Sequence, residues 1–151
     1  ERLELAHNVE LIDKLVHEDS RLEKPVLYPE VASTVDALRV KGIKTAILTT
    51  IASWRFVPLL ERNNVKIDFV CTAREAEAVK PNPKIYKTVM NRFGVSANEA
   101  LMVGDDVKTD IEPAKQLGMR TVLLCRKERT ECPAADQTAT SLLELPSLVE
   151  E

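Results

Sequence analysis

The 151-residue chain is poor in the residues that build metal clusters and disulfide frameworks. Its three cysteines, Cys71, Cys125 and Cys132, form no C-x-x-C pair, and neither of its two histidines lies near a cysteine in sequence. An odd number of isolated cysteines favours reduced thiols, and hence a cytoplasmic protein, over a disulfide scaffold. The same scarcity argues against a zinc site.

Long apolar runs and an excess of basic residues are missing as well. No stretch has the length of a transmembrane helix, and no basic segment followed by an apolar block marks a signal peptide. The formal net charge is −3, which argues against a general nucleic-acid binder. With 44% hydrophobic and 30% charged residues, the composition is that of a globular domain that binds no membrane. A small anionic substrate stays compatible with it.

The spacing of apolar residues predicts an α/β fold. Helical spacing predicts an amphipathic helix over 3–18, and a proline-punctuated linker separates it from a second helix at 30–41. Strands and helices then alternate, which indicates a parallel sheet covered on both faces. We expect strands at 43–48, 68–72, 100–103 and 120–125, helices at 53–63, 82–93 and 110–117, a surface loop at 127–140 and a short helix after Ser141 that Pro146 interrupts.

Polar side chains gather where the predicted strands end. In open parallel sheets, ligands bind beyond the carboxyl ends of the strands. A hydroxyl there can hydrogen-bond a phosphate oxygen, a lysine can neutralise its charge, and clustered carboxylates can bind Mg²⁺. Taken singly, each residue also has an ordinary structural role as a cap, a turn or a solvated surface group. The residues concerned are Thr49, Thr50, Lys80, Asp105, Asp106 and Asp110.

Three motifs in this order resemble the haloacid dehalogenase-like hydrolases, and most closely their phosphatase branch. YPEVASTVDALRVKGIKTAILTT is similar to the segment that ends in the family's second motif, with Thr49 in place of its Thr or Ser. KPNPKIY is similar to the third motif, with Lys80 as its lysine. LMVGDDVKTDIEPAKQLGM is similar to the fourth, an apolar strand followed by Gly104 and Asp105. The resemblance runs from about Tyr28 to Leu145.

The resemblance implies a three-layer Rossmann-like core with a mobile cap and a Mg²⁺-dependent phosphatase reaction on a small phosphorylated metabolite. In the family, an Asp attacks phosphorus and forms an aspartyl-phosphate, and a second Asp two residues later is the general acid and base. Thr49, Thr50 and Lys80 would hold the phosphoryl oxygens. Asp105 would ligate Mg²⁺ directly, with Asp106 and Asp110 in support.

The sequence departs from the family at the first motif, because no D-x-D occurs in its 151 residues. The chain also begins at Glu1, in what reads as the middle of a helix. We therefore interpret it as the C-terminal portion of a longer hydrolase, with 1–24 as the last part of a helical cap and 25–151 as the core. The central first strand, the nucleophile and most of the cap would be missing, and the chain alone would be inactive.

Without a central strand, two inner edges of the sheet would stand unpaired, and such edges associate readily. We expect a second polypeptide that carries the strand, a strand swap between copies, or a rearranged pairing of the remaining strands.

Three other functions stay open. A non-catalytic module that binds phosphate or a partner would explain the missing D-x-D. A haloacid dehalogenase needs no metal, so the acidic pair after Gly104 speaks against it. A response-regulator receiver domain would place its acids after different strands.

Overall fold

A parallel six-stranded sheet forms the centre of the fold in a computed structural model, which describes residues 6–9, 16–19, 24–50 and 52–150. Its strands are β1 Ala6–Val9, β4 Lys44–Leu48, β5 Phe69–Cys71, β6 Ala100–Gly104, β7 Arg120–Leu124 and β8 Gln137–Ala139. The strand order is β5-β4-β1-β6-β7-β8, and every neighbouring pair is parallel. Apolar side chains make β4, β6 and β7 almost wholly buried, as expected for strands covered on both faces.

Helices lie on both faces of the sheet, so the predicted α/β fold class is confirmed. The helices are α1 Val31–Val40, α2 Val57–Arg62, α3 Ala73–Ala76, α4 Pro83–Phe93, α5 Glu112–Gln116 and α6 Leu145–Leu148. One apolar core contains residues of α1, α2 and α6, and the other contains residues of α4 and α5 with Ala76 of α3. Among the described residues, no helix has the length and apolar character needed to cross a membrane.

The N-terminal segment differs from the helix predicted over 3–18. Residues Ala6–Val9 instead form β1, which pairs with β4 on one side and with β6 on the other. Further along, β2 (Val16–Asp19) and β3 (Lys24–Leu27) form a separate antiparallel pair. The helical prediction is wrong because backbone pairing with two neighbouring strands overrides a local apolar pattern. The sheet is continuous as a result, with the chain's own residues between the two inner edges.

Three smaller differences concern the C-terminal half of the chain. The predicted loop over 127–140 contains β8, which pairs with β7 and forms an edge of the sheet. The predicted helix at 110–117 begins as a π-helical turn, Val107–Ile111, before α5. Pro146 does not interrupt the last helix but lies in its first turn, where a missing N–H costs little.

Candidate active site

The carboxyl ends of β4 and β6 bring the predicted hydroxyl and carboxylate residues to one edge of the sheet. Thr49 follows β4 directly and is 1% exposed, and its backbone N–H donates to the Cys71 carbonyl at 3.1 Å. Thr50 is exposed beyond it. Asp105 follows β6 and is also exposed. The parallel arrangement therefore places these side chains as the sequence predicts.

A buried ion pair joins Lys80 to Asp110 at this edge. The Lys80 Nζ lies 2.9 Å from Asp110 Oδ1, and the two side chains are 6% and 0% exposed. Asp110 also accepts a 3.1 Å hydrogen bond from the Asp106 N–H on its other oxygen, Oδ2. Such contacts matter because burying two charges costs free energy unless their remaining hydrogen-bonding groups are satisfied. The structure thus brings together two residues that stand 30 positions apart in the sequence.

Asp106 has a local role in the turn that carries Asp110. Its Oδ1 accepts hydrogen bonds from the backbone N–H groups of Lys108 and Thr109, both at 2.9 Å. These bonds satisfy donors at the start of the π-helical turn, as an N-cap does. The Asp106 carboxylate therefore fixes the turn from outside, while its own N–H holds Asp110.

Gly104 makes the close approach of Asp110 possible. A Cβ at position 104 would lie 2.2 Å from Asp110 Oδ2 and 2.4 Å from Asp110 Cβ. No side chain other than hydrogen fits in that space. The glycine of the fourth motif is thus explained by the packing of the carboxylate against the end of β6.

Tyr86 is a site residue that the sequence analysis did not single out, although it closes the quoted motif KPNPKIY. Its side chain is fully buried on α4, and its hydroxyl donates to the Thr109 carbonyl. Burial raises the pKa of Tyr86, and the negative charges of Asp110 and Asp106 raise it further. The hydroxyl is therefore protonated at physiological pH. A tyrosine on the apolar face of a helix was the available signal, since a buried hydroxyl requires a partner.

The carboxylates at this edge fit a Mg²⁺ ion that keeps several of its water ligands. Mg²⁺ commonly takes one or two carboxylates and keeps several waters. Asp105 is exposed at the strand end and fits that requirement, whereas Asp110 is buried against Lys80. Within the part of the chain that the structure describes, no three metal-ligating side chains form a group. The donors present are thus compatible with a water-rich Mg²⁺ site centred on Asp105, and not with a closed protein cage.

The sequence profile of the haloacid dehalogenase-like hydrolases matches residues 3–124. The chain belongs to this family. Its haloacid dehalogenase-like fold has solved counterparts. One is a phosphatase of the family from Thermococcus onnurineus, with a TM-score of 0.74 and 31% identity over 83% of this chain and 59% of the other. Another is a dehalogenase solved with an intermediate complex, with a TM-score of 0.75 and 26% identity over 85% of this chain and 58% of the other.

A curated relative gives a functional comparison within the family. Glyceraldehyde 3-phosphate phosphatase of Methanocaldococcus jannaschii is 34% identical over 128 residues, which are 81% of this chain and 56% of the relative. The chain spans little more than half the length of this relative and of the two solved proteins.

Proposed function

We propose that this haloacid dehalogenase-like chain is the C-terminal portion of a Mg²⁺-dependent phosphatase that acts on small phosphorylated metabolites. The observation that carries the proposal is the buried Lys80–Asp110 pair at the same sheet edge as Thr49 and Asp105. A buried lysine held by a carboxylate presents positive charge in a fixed place, which is what a transferring phosphoryl group requires.

Each residue at the edge has a proposed task. Thr49 and Thr50 bind phosphoryl oxygens through hydroxyl or backbone groups, and Lys80 neutralises their charge. Asp105 would hold Mg²⁺, with Asp106 and Asp110 in support through the contacts that shape the turn. The metal supplies charge neutralisation and orientation when it is bound.

The relative from Methanocaldococcus jannaschii supports a phosphatase, because its substrate is a small phosphorylated metabolite. A dehalogenase shares the fold, but the acidic Asp105-Asp106 pair favours metal-assisted phosphoryl chemistry over it. A cytoplasmic location accords with the three cysteines, each of which is a free thiol.

The nucleophile must come from elsewhere in this proposal. The 151 residues contain no D-x-D, and Val9 at the end of β1 is followed by Glu10-Leu11-Ile12. We propose that the aspartate pair belongs to a segment supplied by another polypeptide or by strand swapping, which would take the place between β4 and β6 that β1 occupies in this chain. The aspartyl-phosphate would then form on that segment, and this chain alone would be inactive.

The missing D-x-D also favours a second candidate, a non-catalytic module that binds phosphate or a partner protein. Where the module binds phosphate, the two candidates share Lys80 and Thr49 as phosphate contacts and differ only in turnover. They are therefore separated by an activity measurement and not by a binding measurement.

The experiment starts with denaturing mass spectrometry of the purified sample, followed by hydrolysis of p-nitrophenyl phosphate with and without Mg²⁺. A second polypeptide with D-x-D and Mg²⁺-dependent turnover are expected for a phosphatase completed in trans. The Asp105→Asn variant should lose that turnover by about a hundredfold, the scale of removing one electrostatic contact to the transition state. Asp36→Asn makes the same change on the exposed face of α1 and is the matched control.

Unchanged turnover in Asp105→Asn would remove Asp105 from the site. A sample that contains a second polypeptide with D-x-D and still has no turnover favours the binding module, because the 16.9 kDa chain on its own is expected to be inactive under both candidates.

A further inference from the structure

Two arms of the chain meet at the candidate site and touch at two points. The first arm runs from Lys80 into α4, and the second runs from Gly104 to Asp110. One contact is the buried Lys80–Asp110 pair, at 2.9 Å. In the other, the Tyr86 hydroxyl donates to the Thr109 carbonyl.

The second contact controls the peptide that begins Asp110. The Thr109 carbonyl and the Asp110 N–H belong to one planar peptide unit, so fixing the carbonyl fixes the direction of the N–H. That N–H donates to the Asp106 carbonyl at 2.9 Å. The Asp110 carboxylate, in turn, lies between the Lys80 ammonium and the Asp106 N–H.

The hydroxyl of Tyr86 is not needed for apolar packing. The ring lies in the core cluster with Ile85, Val89 and Met102, where a phenylalanine ring would bury the same carbon surface. A hydroxyl in such a core is costly unless it is hydrogen-bonded. The hydroxyl donates to the Thr109 carbonyl, in the turn that carries Asp110, and this points to a role in the geometry of the turn.

We propose that Tyr86 is a positioning residue whose hydroxyl, through the Thr109 peptide, holds the Asp110 carboxylate in register with Lys80. Lys80 then stays buried and fixed in direction. The proposal rests on the proposed function only in the statement that the lysine so held is the phosphate contact.

Lysine acetylation followed by mass spectrometry of the 151-residue chain tests the proposal without a ligand. Lys80 is shielded in its pair, whereas Lys84 and Lys87 on α4 are exposed and give an internal reference. Tyr86→Phe should raise the acetylation rate of Lys80 several-fold relative to these two. Asp110→Asn, which breaks the pair itself, sets the upper limit of the effect.

Thr88→Val is the matched control, because it deletes another hydroxyl that donates to a backbone carbonyl of the same helix, that of Lys84. It should leave Lys80 protected. 4-Aminophenylalanine at position 86 restores a donor at the same place and should restore protection. If Tyr86→Phe does not fold by circular dichroism, 4-fluorophenylalanine fills the hydroxyl's space without donating and replaces it in the comparison.

A folded non-donating variant in which Lys80 is as protected as in the unaltered chain overturns the proposal. The proposal is also overturned if Lys80 is acetylated as fast in the 4-aminophenylalanine variant as in the non-donating variant. A parallel titration with inorganic phosphate and Mg²⁺ separates the two claims. Phosphate binding that weakens only in the non-donating variant supports both, and absence of binding by the unaltered chain contradicts the proposed function while the acetylation result still decides on Tyr86.

Discussion

Carboxylates lie at both ends of the parallel strands, at the amino edge where the strands begin and at the carboxyl edge where they end. Their surroundings differ between the two edges. At the amino edge, Asp68 and Asp136 precede the two edge strands and are exposed. Each accepts hydrogen bonds from the backbone N–H and the hydroxyl of a buried threonine on the neighbouring strand, Thr45 or Thr121, at 2.8–3.2 Å. At the carboxyl edge, Asp110 is fully buried and its partner is a buried lysine.

The difference favours the carboxyl edge as the candidate site. The amino-edge carboxylates satisfy backbone donors and connect neighbouring strands, a task that leaves them in contact with water. The carboxyl edge keeps a cation and an anion out of water, which costs free energy that the fold alone does not require. Charged groups held in costly environments are common at functional sites, where a charge must keep a fixed position.

The largest effect should come from removing one charge at each edge. Lys80→Met leaves Asp110 buried without its cation and should lower the free energy of unfolding by about 3–5 kcal/mol. Lys115→Met removes the 2.8 Å partner of Asp136, but that lysine is 45% exposed, so the loss should be about 0.5 kcal/mol. Urea denaturation of the two variants measures both values, and equal losses would show that the two edges do not differ.

A smaller contrast is expected from two glycines. Gly104→Ala forces its Cβ into the Asp110 carboxylate and should cost about 3 kcal/mol. Gly42→Ala meets no atom within 4 Å and bears only the strain of a φ of 75°, about 1–2 kcal/mol. Urea denaturation again gives the comparison. A Gly104→Ala variant as stable as Gly42→Ala would show that Asp110 does not need its position against β6.

The smallest expected effect is the loss of the stability contribution of Asp136, at the amino edge, when the pH falls. Burial raises the pKa of Asp136, but hydrogen bonds from Lys115 and Thr121 outweigh it and hold the pKa below its usual 3.8. A depressed folded-state pKa gives a stability contribution that is present above 3.8 and is lost as the pH falls through the folded value. Asp136→Asn should therefore lose less stability than the unaltered chain between pH 6 and pH 2.5. Equal acid sensitivity in urea melts would contradict this.

Much of the candidate site is predictable from the sequence, because a parallel sheet collects the residues that follow its strands. Thr49 and Asp105 lie where their strand ends predict. The Lys80–Asp110 contact also agrees with the predicted convergence on one edge. Its burial could not be predicted, since it depends on how the loop before α4 folds over the turn after β6.

The remainder depends on long-range pairing. The segment 6–9 becomes a strand only because β4 and β6 offer hydrogen-bonding edges on both sides. The edge strand β8 has three residues, too few for a periodic signal, and is fixed by its pairing with β7. Tyr86 was not predicted as a site residue, because an apolar helical pattern does not distinguish a tyrosine from a phenylalanine.

Calorimetric titration of the chain with inorganic phosphate in the presence of Mg²⁺ tests the central claim most directly. The account predicts saturable binding that Lys80→Met abolishes and Lys115→Met leaves unchanged, with both variants folded by circular dichroism. Binding of equal strength in the Lys80→Met variant, or no binding by the unaltered chain, would contradict the assignment of the carboxyl edge as a phosphate site.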